Sequence, residues 1–291
     1  MTACQIIAGA CGYGAWPANS LEGARACNDA PVDGVEIDVH LTADGHVVAH
    51  HDYRIAPDSS RLHGQWLDEP GPLIRDTELE RLRAYDLGRQ RPGSPGQFRY
   101  PLRQEMDGVV IPTLPELLGM MSQRVGPRRK LFVEIKTDPG DYRESADPVA
   151  LLDAVLRDLD NGGWLADCKI IAFDWSVLRD LKAKAPRVPC AHLTVPDSMK
   201  PKVRRLPDGD SPWNDGFDPR HFGGSELRAI VAHGGQEWSP HISDVTLDRV
   251  VDARDLGLHV GVWGVATAAE IDHLSALDVA ALTVSGPAWG R

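Results

Sequence analysis

Acidic residues and a lysine recur at two-residue intervals in two apolar runs of this 291-residue chain. Glu36 and Asp38 lie in Gly34-Val35-Glu36-Ile37-Asp38, and Glu134 and Lys136 lie in Leu131-Phe132-Val133-Glu134-Ile135-Lys136. Side chains alternate across a strand, so each pair projects to one face. A charged group in a buried strand costs free energy unless it has a partner, so several together mark a candidate site. Glu36, Asp38 and Glu134 converging at one place would repel unless a cation sat among them. An all-oxygen set suits a hard divalent ion, Mg2+ or Ca2+, and no Cys/His cluster argues for zinc. The same carboxylates could equally form ordinary ion pairs with Lys or Arg. His51, in Val47-Val48-Ala49-His50-His51-Asp52, is a candidate general acid or base, because an imidazole titrates near neutrality. His50 points to the opposite face. Lys136 either binds an anionic group or neutralises the carboxylates. Trp263, in Val260-Gly261-Val262-Trp263-Gly264, is either core filler or a wall against an apolar substrate moiety. His63, His221, His241 and His273 have no companions in the sequence.

These residues must be positioned by short apolar runs that alternate with amphipathic segments. The runs predict strands at about 5–9, 34–39, 131–135, 169–173, 190–194, 237–242, 259–264 and 280–284. Helices are predicted from Asn19 to Cys27 with an Asn cap, from Pro148 to Leu159, and over 176–185, 227–232, 246–256 and 268–277. Eight such repeats favour a (β/α)8 TIM barrel in a single domain over 1–291. A doubly wound sheet is the alternative, but Gly12-Tyr13-Gly14 is only a partial match to a dinucleotide fingerprint. Leu41-Thr42 and Val47-Val48 flank Ala43-Asp44-Gly45-His46, a hairpin signal. These arms should be antiparallel and return His51 to the rim where Glu36 and Asp38 end. Residues 54–112, rich in Pro, Gly, Arg and Asp, read as an insertion over or beside the barrel mouth, and 196–224 as a second long loop.

Composition narrows the function classes. Hydrophobic residues make up 42% and charged residues 25%, enough apolar material for a large core. A net charge of −11 and no sustained basic run argue against nucleic acid as a partner. No apolar run reaches membrane-spanning length, and the chain enters a strand-like run almost at once, which leaves no room for a signal peptide. Five scattered cysteines without a C-x-x-C pair read as reduced thiols, and so as a cytoplasmic protein. Composition says nothing of oligomeric state.

Residues 34–52 resemble the glycerophosphodiester phosphodiesterase family, whose pattern Gly-Val-Glu-x-Asp-Val-x-Leu-Thr-x-Asp-Gly-x-x-Val-x-x-His-Asp they follow nearly throughout. Ile111-Pro112-Thr113-Leu114-Pro115-Glu116-Leu117-Leu118, Val133-Glu134-Ile135-Lys136, Ala172-Phe173-Asp174-Trp175 and the run Gly257 to Trp263 extend the similarity over almost the whole chain. The resemblance implies a phosphodiesterase barrel with an insertion after the His–Asp pair. It also implies Glu36, Asp38 and Glu134 as metal ligands, His51 as one of two catalytic histidines, and Lys136 as a phosphate contact. The chain departs from the family at its first strand. Where His-Arg-Gly is usual it has Ala10-Cys11-Gly12, so the first histidine and the phosphate-binding arginine are both replaced. Later, Gly264-Val265-Ala266 stands for Thr-Val-Asn, and Thr283-Val284-Ser285 carries no Thr-Asp.

Three functions follow. The first is a divalent-metal-dependent enzyme acting on a glycerophosphodiester or another phosphate-containing, anionic small molecule. With half of the acid/base pair gone, its reaction could be altered to a lyase, transferase or cyclisation step. A second version gives Cys11, expected at the mouth, a role as thiolate nucleophile or base, against the alternative of an inert residue filling the space of the arginine. The third is a catalytically dead, anion-binding pseudoenzyme.

Overall fold

The structure, a computed structural model, describes residues 4–196, 198–199, 203 and 211–286. Its frame is a closed barrel of eight parallel strands: β1 (Gln5–Ala8), β2 (Gly34–Leu41), β7 (Lys130–Ile135), β8 (Cys168–Ala172), β9 (Cys190–Thr194), β10 (Glu237–Pro240), β11 (His259–Val265) and β12 (Ala281–Val284). Neighbours run β1-β12-β11-β10-β9-β8-β7-β2, and pairing of β1 with β2 closes the ring. All eight expected strands are present, in a (β/α)8 TIM barrel. Odd and even positions divide its two layers. Val35, Ile37, Val39, Leu131, Val133 and Ile135 face out into a helix-covered cluster with Leu117, Leu151 and Val155. Ile7, Phe132, Ile171, Ala191, Leu193 and Ala281 fill the interior. A buried pair, Lys169 Nζ to Glu237 Oε2 at 2.6 Å, lies near the N-terminal ends of β8 and β10, with the ammonium 4.5 Å from the Phe132 ring centre.

The expected hairpin is present. A short strand β3 (Val47–Ala49) runs antiparallel to the end of β2, pairing Val39 with Ala49 and Leu41 with Val47. The chain then enters the insertion, which is ordered by short elements. Strands β4 (Arg61–Leu62), β5 (Gln65–Trp66) and β6 (Tyr85–Asp86) make a small antiparallel sheet, and Ile55, Ile74, Leu82, Tyr85 and Ile111 form a core with Val48. Its far end packs on the loop after β1: Tyr100 meets the Tyr13 ring edge-on at 4.8 Å, and the Arg103 guanidinium lies 5.3 Å over the same ring.

Helix boundaries differ from expectation at instructive places. The first helix, α1, is Leu21–Asp29, and Ser20 caps it by accepting the Gly23 N–H at 3.0 Å. Asn19 is therefore not the cap; its backbone is left-handed (φ 51°) and its side chain turns to the barrel. Leu114–Met121 forms a helix not among the predicted ones, opened by a capping box between Thr113 and Glu116. The other predicted helices appear as Pro148–Asn161, Trp175–Lys184, Glu226–Ala232, Leu247–Asp255 and Ala268–Ser275, where the pattern put them, and two short unpredicted ones, Leu79–Leu82 and Pro95–Arg99, lie in the insertion. Of the second long loop, 197, 200–202 and 204–210 lie outside the described residues; its later part makes short turns at Pro212–Asn214 and Pro219–Phe222.

Candidate active site

The register between β2 and β7 sets Asp38 directly beside Glu134, and Glu36 lies one inward position earlier on the same face. One carboxylate oxygen from each of Glu36, Asp38 and Glu134 lies within 4.8 Å of the other two. All three side chains are buried. Each is held differently. Glu36 Oε2 accepts the Ala10 N–H at 2.7 Å, while Oε1 is buried with no hydrogen-bond partner. Asp38 Oδ2 accepts from Asn19 Nδ2 at 2.8 Å, and Asn19 Oδ1 accepts the Asp38 N–H at 3.1 Å. Lys136 Nζ bridges the other two carboxylates, 2.8 Å from Asp38 Oδ1 and 2.5 Å from Glu134 Oε1.

These surroundings set the charge states. Burial, with Asp38 and Glu134 beside it, pushes Glu36 well above the usual carboxylate range. Burial also raises Glu134, against the pull of Lys136. Burial would raise Asp38 too, but Lys136, His51 and Asn19 outweigh it and hold the group below its ordinary value. Burial works against the Lys136 charge, yet its two carboxylate partners raise its proton affinity. Fully ionised, three carboxylates and one ammonium leave two negative charges in a buried cluster, which a divalent cation would neutralise. The orphaned Glu36 Oε1 and the all-oxygen donor set fit such an ion.

Beside the cluster opens a cleft of about 320 Å³ whose lining includes His51, Arg54, Glu134, Lys136, Phe173 and Trp213. The hairpin return brings His51 to this rim, as expected; its side chain is 61% exposed and Nδ1 lies 2.8 Å from Asp52 Oδ1. His50 turns away, with Nε2 3.4 Å from the Arg54 carbonyl. Trp263 is partly buried: its Nε1 donates to the Thr194 carbonyl at 3.1 Å, and its ring meets Phe173 and His241 edge-on at 5.7 and 4.6 Å. It backs the apolar wall that Phe173 presents. His241 is thus not companionless, since it packs on Trp263.

Cys11 is the residue whose expected position fails. It was expected at the mouth, but its side chain is 0% exposed and packs among Ala24 and Cys27 under α1. A Cβ on Gly23 would sit 2.3 Å from the Cys11 carbonyl oxygen, so the helix closes directly over it. Burial pushes its thiol well above the ordinary cysteine range, opposing a thiolate. The side chain points out of the barrel because the turn at 10–12 is left-handed throughout (φ 45°, 56° and 84°). Ala10, half-buried beside Glu36, carries no acid or base. Asn19 is a residue that sequence reasoning missed at the cluster, because it read as a helix cap.

A model of the glycerophosphoryl diester phosphodiesterase family matches residues 12–288. The chain belongs to that family. It is a phosphoric diester hydrolase-like enzyme. Among solved structures, a putative glycerophosphoryl diester phosphodiesterase from Silicibacter pomeroyi DSS-3 is similar over 100% of this chain and 93% of its own, with 27% identity and a TM-score of 0.86. A putative glycerophosphoryl diester phosphodiesterase from Agrobacterium tumefaciens (21% identity, TM-score 0.72, covering 98% and 94%) shares the fold. So does an Oleispira antarctica phosphodiesterase in complex with the product sn-glycerol-3-phosphate (21% identity, TM-score 0.69, covering 98% and 94%). No curated protein matches the chain. Among the described residues no helix is long and apolar enough to cross a membrane.

Proposed function

We propose that this chain is a divalent-metal-dependent phosphodiesterase acting on a glycerophosphodiester or a related small phosphodiester. Glu36, Asp38 and Glu134 hold the cation, Mg2+ or Ca2+. The observation that carries the reading is the convergence of these three buried carboxylates with Glu36 Oε1 unpartnered. A bound divalent ion would supply charge stabilisation on the phosphoryl oxygens. The chain's own groups do the rest. Hydrolysis forms a bond from a water oxygen to phosphorus, breaks the phosphorus–oxygen bond to the alcohol, and moves a proton to the departing oxygen. His51, exposed at the cleft and oriented by Asp52, carries one proton transfer. Lys136 keeps Asp38 and Glu134 in place and adds positive charge near the phosphate. Phe173, backed by Trp263, forms an apolar wall against the alcohol moiety.

Ala10 favours one further reading. With no imidazole at position 10, the departing oxygen receives its proton from solvent, or the reaction runs as a lyase, transferase or cyclisation step that needs only one proton carrier. Incubation with glycerophosphocholine and Mg2+ or Ca2+, followed by product analysis, decides between these. Release of sn-glycerol 3-phosphate above a Glu36→Ala control supports hydrolysis. A cyclic or transferred phosphate product supports the altered reaction, and binding of metal and diester without turnover would mean a pseudoenzyme. We also assign the enzyme to the cytoplasm as a single-domain protein, on its scattered free thiols.

A further inference from the structure

The cleft's charge inventory assigns a role to a residue that the sequence did not single out. Among the described residues lining it, the side chains with permanent positive charge are Arg54 and Lys136. Lys136 is committed, because its ammonium is shared between Asp38 and Glu134 at 2.8 and 2.5 Å. The turn after the first strand supplies no side chain in its place, since Cys11 faces the helix layer and the Ala10 side chain has no donor. Arg54 is different. It follows the hairpin three residues after His51, on the same lining. Its one ion pair among the described residues is a single 3.4 Å contact from Nη2 to Glu144 Oε1. The two side chains are 43% and 36% exposed, where such a pair is worth little and exchanges cheaply for a better partner.

We infer that Arg54 binds the phosphate oxyanion of the substrate, leaving Glu144 when the anion enters. This rests on the phosphodiesterase reading above. A guanidinium presents two parallel N–H donors that match two oxygens of a phosphate, a geometry an ammonium cannot supply. A phosphodiester carries one negative charge, as Glu144 does, but its two free oxygens take both donors at once where Glu144 makes a single 3.4 Å contact, so the exchange favours the ligand. Glu144 then acts as a competitor for the same donors. It keeps the empty cleft from holding a bare cation, and it sets how tightly an anion must bind to enter.

The competitor makes a test that a merely structural role would fail. Arg54→Ala should raise KM for glycerophosphocholine, and the Kd of inorganic phosphate measured by titration calorimetry, about 10- to 100-fold, the range for lost charge-assisted hydrogen bonds. Its kcat should move less. Arg54→Lys should recover part of the loss. Glu144→Gln should shift both quantities the opposite way, tightening them a few-fold. If Arg54 only held the loop, Arg54→Ala and Glu144→Gln would change binding in the same direction, which overturns the inference. Unchanged KM and phosphate Kd in Arg54→Ala also overturn it. Phosphate titration needs no turnover. Phosphate that binds the wild-type protein and is lost in Arg54→Ala supports the inference even where the wild-type protein proves not to hydrolyse diesters, an outcome that would count against the functional reading alone.

Discussion

Replacing Asn19 should show how much of the carboxylate cluster's geometry rests on one neutral side chain. Asn19 is 2% exposed and makes two hydrogen bonds to a single residue, donating to Asp38 Oδ2 at 2.8 Å and accepting the Asp38 N–H at 3.1 Å. Asn19→Ala leaves a buried carboxylate oxygen and a buried N–H unpaired, at about 1–3 kcal/mol each. The position is also left-handed (φ 51°), which Asn tolerates better than Ala, adding about 1–2 kcal/mol. The expected loss is roughly 3–8 kcal/mol, or about 6–16 °C at roughly 2 °C per kcal/mol for a chain of this size. Asn19→Gly removes the same hydrogen bonds but accepts the backbone angle, so it should cost about 1 kcal/mol less than Ala. Urea unfolding of the three proteins with EDTA present gives the differences without a bound cation. Calorimetric titration with Mg2+ or Ca2+ should then show a 10- to 100-fold weaker site in both variants, as for other residues that orient a metal ligand. Unfolding free energies within about 0.5 kcal/mol of wild type in both variants would refute the reasoning.

Glu36→Gln should move stability and metal affinity in opposite directions. It removes a buried carboxyl group whose ionisation burial opposes and whose Oε1 has no hydrogen-bond partner, so the protein in EDTA should gain stability by about 1–3 kcal/mol, while calorimetry should find divalent affinity down at least about tenfold. Loss of both would contradict the metal assignment. Lys136→Met strips the bridge from two buried carboxylates and should cost about 3–5 kcal/mol in EDTA, with part restored by millimolar Mg2+ or Ca2+; thermal unfolding in both buffers reads this. Acid should destabilise the fold through its buried imidazoles. Burial pushes His40 down to about 3 and holds His192, 0% exposed, well below its ordinary value. Both are neutral when folded and protonate when unfolded, so their stability is complete above about pH 6.5 and is lost as pH falls, by about 1.4 kcal/mol per unit for each, for His40 down to about pH 3. Melting temperatures from pH 8 to 4 should fall accordingly, and His192→Asn should flatten the curve; a slope unchanged by that substitution would count against the assignment.

The barrel was legible because its strands are long enough to show a period and its helices carry caps and prolines. The β2–β3 hairpin was legible from Asp44-Gly45 alone. The helix Leu114–Met121 was passed over, although Thr113-Leu114-Pro115-Glu116 is a capping-box sequence; its motif had been noticed only as a likeness. The spacing of Glu36, Asp38, Glu134 and Lys136 foretold which face they share. It could not foretell that Lys136 spends its charge on two of the carboxylates, because that depends on the one-to-one register of Asp38 with Glu134 across two strands separated by about 90 residues. Asn19 was misread for a local reason. Asn before a helix usually caps it, but here Ser20 is one residue nearer and takes the Gly23 N–H, which frees the amide for Asp38. Cys11 was misplaced because a residue just after a barrel strand was expected to face the mouth; from Ala10 the backbone goes left-handed and the side chain exits the barrel.

That left-handed turn explains how the chain can lose two family side chains and keep its carboxylate cluster. Two consecutive non-glycine residues with positive φ cost about 1–2 kcal/mol each, and they persist only where the surroundings over-determine them. The turn is held by backbone bonds: Gly12 and Tyr13 N–H both reach the Gly9 carbonyl, Asn19 N–H reaches the Ala10 carbonyl, and Ala10 N–H reaches Glu36. None needs a particular side chain at 10 or 11. Glu36 therefore keeps its orienting donor with alanine at position 10, while proton transfer and anion recognition, which do need side chains, are assigned in the proposals above to His51 and Arg54, which follow the hairpin on the neighbouring strand β2. Ala10→His separates the two contributions. Histidine accepts left-handed backbone better than most residues, so the variant should fold with the cluster intact. With an imidazole returned to the rim, diester hydrolysis should rise about 10²-fold or more. A folded, metal-binding Ala10→His protein with no gain would mean that the reaction does not use a second proton carrier at this position.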